Sequence, residues 1–296
     1  MKAVTSQPRV FCDAGCQLAE SPVWDQRNQR LWWVDISGRT LLSYDGVETA
    51  VQRYRFEREI GAVVLSDDES TVYVALSDGV YRYQLSSGAL TQLAGTAIDD
   101  REVRFNDGKS DRHGRLFVGT ADRTAARGRC ALYRWDANSG FEPVVHEVTV
   151  SNGLGWSPDN SRMYYADSEQ RTVFAFDYTA RDGSLTNQSV LLRFAPSDGL
   201  PDGLTVDRAG TLWIAHWGGG KVSRWDPTER TLLGTIEVPA PHVTSCTFGG
   251  DNLDQLFITT ARDGLSESEL QRYPASGSLF VVNTAVQGFA ADRMAP

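Results

Sequence analysis

The chain of 296 residues is acidic, with 38 Asp and Glu against 29 Lys and Arg, and its formal net charge is −9. Because a nucleic-acid partner usually requires a basic face, this balance argues against nucleic-acid binding. No apolar run approaches the roughly 18 residues that a membrane-spanning helix needs, so we also expect no membrane partner. The first fifteen residues lack the apolar segment of a secretory signal. We therefore expect a cytoplasmic protein, unless a leader precedes this sequence.

The four cysteines are scattered along the chain and form no Cys-x-x-Cys pair. A protein of this size does not need disulfides for its stability, so buried free thiols are the favoured interpretation. A disulfide or a metal pair formed by Cys12 and Cys16 is the alternative.

Six copies of one pattern follow one another along the chain. Each copy combines a turn of the type Ser-Pro-Asp-Asn or Asp-Arg-x-Gly with two short β-rich runs. The copies begin at Ser21, Ala62, Asp107, Leu154, Leu204 and Cys246, which are 41 to 50 residues apart. This period is typical of a β-propeller blade, and six blades of about 45 residues use nearly the whole chain. The repeat predicts an all-β, six-bladed propeller with four-stranded antiparallel blades around a central channel, in one domain over residues 1–296.

Within each copy, the first run is continuously apolar and the next one alternates. The continuous runs predict fully buried inner or middle strands, and they are LWWVDI (31–36), TVYVAL (71–76), RLFVGT (115–120), RMYYAD (162–167), TLWIAH (211–216) and QLFITT (255–260). The alternating runs, such as VYRYQ and VFAFD, indicate outer strands with one solvated face. Helical periodicity is nearly absent, and residues 264–274 are the best candidate for a single helical turn.

The two ends of the chain carry the signal for ring closure. A propeller must join its first and last blades, commonly with a strand from one terminus. PRVFCD (8–13) precedes the first full repeat, and GSLFVVNT (277–284) ends the last one. We predict that these two segments share a blade or lie in neighbouring blades.

Polar residues stand where several repeats begin, at positions that a core strand does not require. They are Glu20, Arg104, Asn106, Asp107, Asn152 and Asp202, and the last two and Asp107 are each followed by Gly. Taken singly, Asn-Gly and Asp-Gly are typical of turns, and a glutamate is typical of the surface. Their recurrence at the same point of different blades favours a shared site, where carboxylate and carboxamide oxygens would bind Ca²⁺, Mg²⁺ or Mn²⁺. Zn²⁺ is possible, although it usually prefers His or Cys.

A set of motifs in the same order along the chain resembles the SMP-30/gluconolactonase family, also called the regucalcin family. The motifs are LAESPVWD, VDI, RFNDGKSD, GRLFVGT, SNGLGWSPD, YYADS, PDGLTVD, SCTFGG and TTARDGLS. The resemblance implies a six-bladed propeller that holds one divalent cation in its channel and hydrolyses sugar lactones to aldonic acids, and so a carboxylic ester hydrolase.

The resemblance also implies roles for individual residues. Glu20, Asn152 and Asp202 match the family's protein metal ligands, and Asp202 matches the proposed general base or acid. Arg104 and Asn106 match residues that contact the substrate. Chemically, a cation would polarise the lactone carbonyl, and Asp202 would move the proton of the attacking water.

One segment departs from the family pattern. Where some members carry acidic residues over the site, residues 121–130 read ADRTAARGRC. This segment is either a solvated loop, or Arg123 or Arg127 binds an anionic substituent of the sugar such as a sulfonate or phosphate. An uncharged aldonolactone remains the default substrate.

Several alternatives stay open. His216 and Trp217 either line the channel mouth or pack in the fold, and Trp24 is either an aromatic wall or core. The protein is expected to be a monomer or a weak homodimer. A propeller esterase for other lactones and a non-catalytic calcium-binding propeller are the two rival functions, because a fold alone does not give function.

Overall fold

The computed structural model describes residues 6–47, 50–95, 101–137 and 139–295. Some positions of the predicted domain, residues 1–296, lie outside these ranges. The same is true of the first five residues, which belong to the segment that lacks a secretory signal pattern. The strands of the first half are β1 (Arg9–Cys12), β2 (Ala19–Asp25), β3 (Arg30–Asp35), β4 (Thr40–Tyr44), β5 (Gln52–Arg55), β6 (Ile60–Ser66), β7 (Thr71–Leu76), β8 (Gly79–Gln84), β9 (Leu90–Gly95), β10 (Val103–Ser110), β11 (Leu116–Asp122), β12 (Cys130–Asp136) and β13 (Gly140–Val148).

The second half continues the same pattern. Its strands are β14 (Ser151–Trp156), β15 (Arg162–Asp167), β16 (Thr172–Thr179), β17 (Ser184–Arg193), β18 (Leu200–Val206), β19 (Leu212–Trp217), β20 (Lys221–Asp226), β21 (Thr231–Glu237), β22 (Val243–Gly249), β23 (Gln255–Thr260), β24 (Leu279–Asn283) and β25 (Arg293–Met294). One 3₁₀ helix covers Pro196–Asp198, and the helix α1 covers Glu267–Arg272. The helical turn predicted within residues 264–274 is therefore confirmed. In the described part of the chain, no helix is long and apolar enough to cross a membrane.

In the described part of the chain the strands form six sheets, which confirms the six-bladed propeller, and every strand pair is antiparallel except that of β25 with β6. Blades 1 to 5 start with the inner strands β2, β6, β10, β14 and β18, and each runs outward through the next three strands. Blade 6 has the order β22-β23-β24-β1, so the N-terminal strand completes the blade of the last repeat. The ring closure predicted from the two chain ends is thus confirmed, and both segments lie in the same blade.

The continuous apolar runs form the second strand of each blade, which decides between the predicted inner and middle positions. The alternating runs form the third strands, and the outermost place belongs to strands such as β5 and β21, which are mostly exposed. The alternating runs were predicted to be outer strands with one solvated face, but third strands such as β4 and β8 are mostly buried. The edge strands mix polar residues with exposed apolar residues such as Leu232 and Leu233 of β21, so their hydrophobic pattern did not identify them.

The core is divided among the six interfaces between adjacent blades. Each described apolar cluster joins two neighbours, as Trp213 of blade 5 and Phe248 of blade 6 do in one of them. Trp24 stacks on Phe257 at the junction of blades 1 and 6, with ring centroids 5.2 Å apart. Trp24 is therefore core, not a pocket wall. All four cysteines are buried and free, which rules out a disulfide between Cys12 and Cys16.

The turns between first and second strands follow the chemistry that their sequence predicted. Asp207 Oδ1 accepts hydrogen bonds from the backbone N–H groups of Ala209 (3.0 Å) and Thr211 (2.9 Å). Gly210 takes a φ of 83°, which an L side chain adopts only with strain. The aspartate closes the turn and the glycine permits it, so the Asp-Arg-x-Gly motif fixes the start of the next strand.

All six inner strands are interrupted by a β-bulge near the start of the strand. The register shifts fall between Glu20 and Val23, Ile60 and Ala62, Phe105 and Gly108, Ser151 and Leu154, Pro201 and Leu204, and Val243 and Ser245. A bulge adds a residue to one strand and redirects the local side chains. The repeated bulge therefore places the polar residues of different blades around one end of the channel.

Candidate functional site

The predicted site residues gather at the end of the channel where the inner strands begin. Glu20 lies on β2, Asn106 on β10, Asn152 on β14 and Asp202 on β18, and all four are buried. The carboxyl groups of Glu20 and Asp202 share a hydrogen bond, although they come from blades 1 and 5. Residues that are 182 positions apart in the sequence thus meet at one point.

The Asn-Gly and Asp-Gly pairs are not turns. Asn152–Gly153 and Asp202–Gly203 lie inside β14 and β18, where the inner strands of adjacent blades approach closely. A Cβ atom on Gly153 would come within 2.5 Å of the Asp202 carbonyl oxygen. The glycines allow the strands to touch, and this contact brings Asn152 and Asp202 side by side.

Two oxygens of this group lack hydrogen-bond partners although they are buried. Asn152 Nδ2 donates to Ser168 Oγ at 3.0 Å, and Ser168 Oγ donates to the Pro201 carbonyl at 2.7 Å. The amide is held in one orientation, and its Oδ1 has no partner, nor has Oδ1 of Asp202. Buried acceptors without donors are costly and need an explanation. With Glu20, these hard oxygen donors fit a divalent cation such as Ca²⁺ or Mg²⁺.

The carboxyl groups of the site have raised pKa values, because burial and their mutual repulsion disfavour the ionised form. Burial, reinforced by the charge of Asp107, raises the pKa of Glu20 to about 8. Burial and the charge of Glu20 raise the pKa of Asp202 well above its ordinary value. A cation would reverse both effects, because it stabilises the ionised carboxylates that burial and mutual repulsion destabilise.

Arg104 and Asn106 form a connected pair beside the carboxyl groups. Arg104 Nη1 donates to Asn106 Oδ1 at 2.5 Å, and Asn106 Nδ2 donates to the Ser151 carbonyl at 2.7 Å. Burial lowers the pKa of the Arg104 guanidinium, while the charges of Glu59 and Glu20 oppose this effect. The pair offers N–H donors at the same channel end as the oxygen donors.

Arg123 reaches the same region from the loop after β11. It forms an ion pair with Glu59, and its charge acts on Arg104. Arg129 of this loop is bound instead to Glu102 and Asp122. Of these two arginines, Arg123 is the one that the structure brings to the predicted site.

The aromatic residues near the site differ in their roles. Trp217 is half-buried and stacks on His242, with ring centroids 3.9 Å apart. It pairs with Leu200, two residues before Asp202, so it lies at the same end of the channel. His216 is buried, its Nε2 lies 2.6 Å from Ser223 Oγ, and its ring packs edge-on against Phe194. His216 therefore packs between blades 4 and 5.

Two further charged residues of the site, Asp107 and Glu59, were not among those assigned roles from the sequence. Asp107 is fully buried, its Oδ2 has no hydrogen-bond partner, and burial raises its pKa. Lys109 follows it on the same strand and donates to the Leu204 carbonyl at 2.6 Å. Glu59 directly precedes β6, so a search for polar residues at the start of every inner strand would have found it.

The candidate metal-binding set does not consist of charged or soft ligands alone. Among the described residues, no three His, Cys, Asp or Glu side chains come together as a metal site by themselves. The candidate set depends on the Asn152 amide as its third member, together with Glu20 and Asp202.

Comparisons with known proteins agree with this fold. Residues 18–262 match the family model described as "SMP-30/Gluconolactonase/LRE-like region". The chain belongs to this SMP-30/gluconolactonase family.

Two relatives and one solved structure illustrate the relationship. The chain is 35% identical over 278 residues to the Bacillus subtilis protein named "Putative sugar lactone lactonase YvrE", with 94% of each chain covered. It is also 35% identical over 282 residues to regucalcin of Pongo abelii, covering 93% of this chain and 94% of that one. The structure of a calcium-binding protein, regucalcin, from Agrobacterium tumefaciens superposes with a TM-score of 0.94 at 25% identity, and both chains are fully covered.

Proposed function

We propose that the protein is a metal-dependent sugar lactonase, which hydrolyses an aldonolactone to the aldonic acid. The observation that carries the proposal is the pair of buried, unpartnered oxygens on Asn152 and Asp202 beside Glu20. The names of its relatives support a lactone hydrolase, because one relative is named a sugar lactone lactonase. In this proposal Glu20, Asn152 and Asp202 hold one divalent cation.

The protein's own residues would carry out binding and proton transfer. The N–H groups of Arg104 and Asn106 would bind lactone oxygens and orient the ring. Asp202 would accept a proton from the water that attacks the carbonyl carbon, and would return it to the ring oxygen as the carbon–oxygen bond breaks. The bound cation would supply Lewis-acid stabilisation of the negative charge that develops on the carbonyl oxygen.

The positive charges of Arg123 and Arg104 bear on whether the substrate is anionic or neutral. Arg123 stands beside Glu59 and Arg104, so a sugar with a sulfonate or phosphate would meet two guanidinium groups there. A neutral aldonolactone would find both donors and an acceptor in the same place. We propose a neutral pentono- or hexonolactone as the default substrate, a small molecule processed in the cytoplasm by a monomer or weak dimer.

The test is hydrolysis by metal-stripped protein, followed through acid release on a panel of neutral and anionic aldonolactones. Each of Ca²⁺, Mg²⁺, Mn²⁺ and Zn²⁺ is then added back separately. Restored turnover on one lactone would support the proposal and identify its substrate and metal. Tight cation binding with no turnover on any lactone would instead favour the non-catalytic calcium-binding rival, which the regucalcin relatives make the second candidate.

A further inference from the structure

A cavity lies at the opposite end of the channel from the candidate site. Its volume is about 420 Å³, which is within the range of small-molecule pockets. It is lined by inner-strand residues that follow the site residues in sequence, such as Val23 after Glu20 and Val206 after Asp202. We call it the distal cavity.

The C-terminal segment crosses this end of the channel. At its beginning, Arg208 N–H donates to the Gln287 carbonyl at 2.8 Å, which anchors the segment to blade 5. At its end, β25 pairs in parallel with β6 of blade 2, and Arg293 forms an ion pair with Asp25 at 2.6 Å. Residues 289–292 run between these anchors and line the distal cavity. We call residues 287–295 the C-terminal strap.

Most of the cavity wall is apolar. Val23, Val63 and Val206 contribute from the inner strands, and Trp156 and Phe289 add aromatic surface. Such a wall favours a hydrocarbon or aryl group, because burial of apolar surface drives binding.

The wall also carries a hydroxyl group that the fold leaves unused. Ser110 is 5% exposed, and its Oγ is buried without a hydrogen-bond partner. A buried hydroxyl without a partner costs free energy, and a ligand that accepts its hydrogen bond would remove that cost. Ser110 therefore indicates a ligand with an acceptor atom.

The charges around Ser110 favour an anion. Lys109 precedes it, and the Leu204 carbonyl takes one of the three N–H donors of the amine. Burial lowers the pKa of this amine, while the charge of Asp107 opposes that effect. Arg112 follows it and lies over the Phe289 ring, 5.3 Å from the centroid, with one hydrogen bond to the Pro158 carbonyl. Among the residues that line the cavity, Lys109 and Arg112 are basic and Asp292 is acidic. The lining therefore carries one more basic than acidic side chain.

We propose that the distal cavity binds a small amphipathic carboxylate. Its carboxylate accepts a hydrogen bond from Ser110 Oγ beside the positive charges of Lys109 and Arg112, and its hydrocarbon part packs against the valine and aromatic wall. The site is separate from the candidate lactonase site and does not depend on that function.

The proposal is tested by calorimetric titration of the full chain with octanoate, hexanoate and octylamine. Since each buried methylene adds roughly fourfold to affinity and octanoate has two more than hexanoate, octanoate should bind about fifteenfold tighter than hexanoate, at one site per chain. Octylamine should bind at least tenfold weaker than octanoate. Absence of binding, or equal affinity for the amine and the acid, would overturn the proposal.

Variants locate the ligand. Ser110→Ala and Arg112→Gln should each weaken octanoate binding at least fivefold, and Ala291→Phe should abolish it by filling the cavity. Arg181→Gln is the matched control, because the Arg181 side chain is 88% exposed and does not line the cavity. This variant should bind octanoate with the affinity of the parent protein. If Ser110→Ala and Arg112→Gln bind octanoate like the control, the site is not the distal cavity.

A last variant separates the two ends of the channel. Asp202→Ala alters the candidate lactonase site, so it should leave octanoate binding unchanged whether or not the protein hydrolyses lactones. Loss of octanoate binding in this variant would place the ligand at the other end and overturn the proposal.

Discussion

At the scale of single residues, the candidate site depends on acidic groups that the fold forces together. Glu20 and Asp202 are hydrogen-bonded to each other, and Asp107 adds a third buried carboxyl group nearby. Like charges at close range, buried away from water, are unfavourable unless protons or a cation compensate them. The arrangement therefore favours binding of positive charge over stability of the empty fold.

Replacement of Asp202 tests this site. Asp202→Ala should lower lactone turnover by roughly 10²–10⁴-fold, because it removes both a cation ligand and the proposed proton carrier. The measurement is acid release with the cation that best supports the parent protein. Asp251→Ala, at an exposed turn, is the matched control and should retain full activity. Near-normal turnover of Asp202→Ala would show that the site is wrong.

Arg123 tests the choice between neutral and anionic substrates. Arg123→Ala should raise the KM for an anionic aldonolactone roughly tenfold and leave a neutral one nearly unchanged, because a guanidinium binds an anion bidentately. Arg129→Ala is the control on the same loop, since Arg129 is already bound to Glu102 and Asp122. Equal effects of Arg123→Ala on both substrates would remove the anion hypothesis.

At the scale of the strand, glycine residues decide how closely the inner strands of adjacent blades approach each other. Gly153→Ala should lower the free energy of unfolding by about 1–3 kcal/mol, because its Cβ would meet the backbone of Asp202 and Leu204. It should also reduce turnover, since Asn152 and Asp202 would move apart. Urea denaturation measures the first effect and acid release the second.

The control for this change is another strand glycine. Gly234 lies on the outer strand β21, and a Cβ there would meet no atom within 4 Å. Gly234→Ala should therefore be neutral or slightly stabilising. If both alanine variants unfold at the same urea concentration, close packing at Gly153 is not what the position requires.

The C-terminal strap should make stability depend on pH. Burial raises the pKa of Asp292 to about 6, against an ordinary value near 4, so the folded state holds its proton more tightly than the unfolded state does. This contribution to stability is complete below about pH 4 and is lost as the pH rises through 6. Asp292→Asn should therefore be more stable than the parent by about 1–3 kcal/mol at pH 7.5 and equal to it near pH 4, measured by urea denaturation. A difference that is the same at both pH values would contradict the assignment.

At the scale of the whole molecule, the ring is closed by side chains as well as by hydrogen bonds. Phe11 on β1 packs against Phe257 of blade 6 and Tyr44 of blade 1, with centroids 4.8 Å and 5.2 Å apart. One residue from the N-terminal strand thus joins the last blade to the first. Because every blade interface is a separate cluster, this junction is as necessary to the ring as the other five.

Phe11→Ala should destabilise the protein by about 2–4 kcal/mol, because it leaves a cavity at the closing interface. Leu233→Ala is the control, since Leu233 is 47% exposed on an outer strand and should cost little. Unfolding in urea should remain a single transition at a lower midpoint. A Phe11→Ala variant as stable as the control would show that the hydrogen bonds of β1 alone close the ring.

The sequence by itself determined the number of blades, the closure by the N-terminal strand and the polar residues of the channel. These features recur in every copy of the repeat. The repeat is recognisable in the sequence because each copy must bury the same face against its neighbour. The Asp-x-x-Gly turns were also predictable from the sequence, because their hydrogen bonds join residues that are close along the chain. The family resemblance added the grouping of Glu20, Asn152 and Asp202, which the fold places together at one end of the channel.

Only the tertiary structure decided how these residues meet. The bulges in the six inner strands, the close approach at Gly153 and the hydrogen bond between Glu20 and Asp202 depend on contacts between blades far apart in sequence. The same holds for Asp107, for the pairing of Arg123 with Glu59, and for the distal cavity beneath the C-terminal strap. Local pattern reports which face of a strand is buried, but the pKa of a carboxyl group and the shape of a cavity depend on neighbours that only the closed ring supplies.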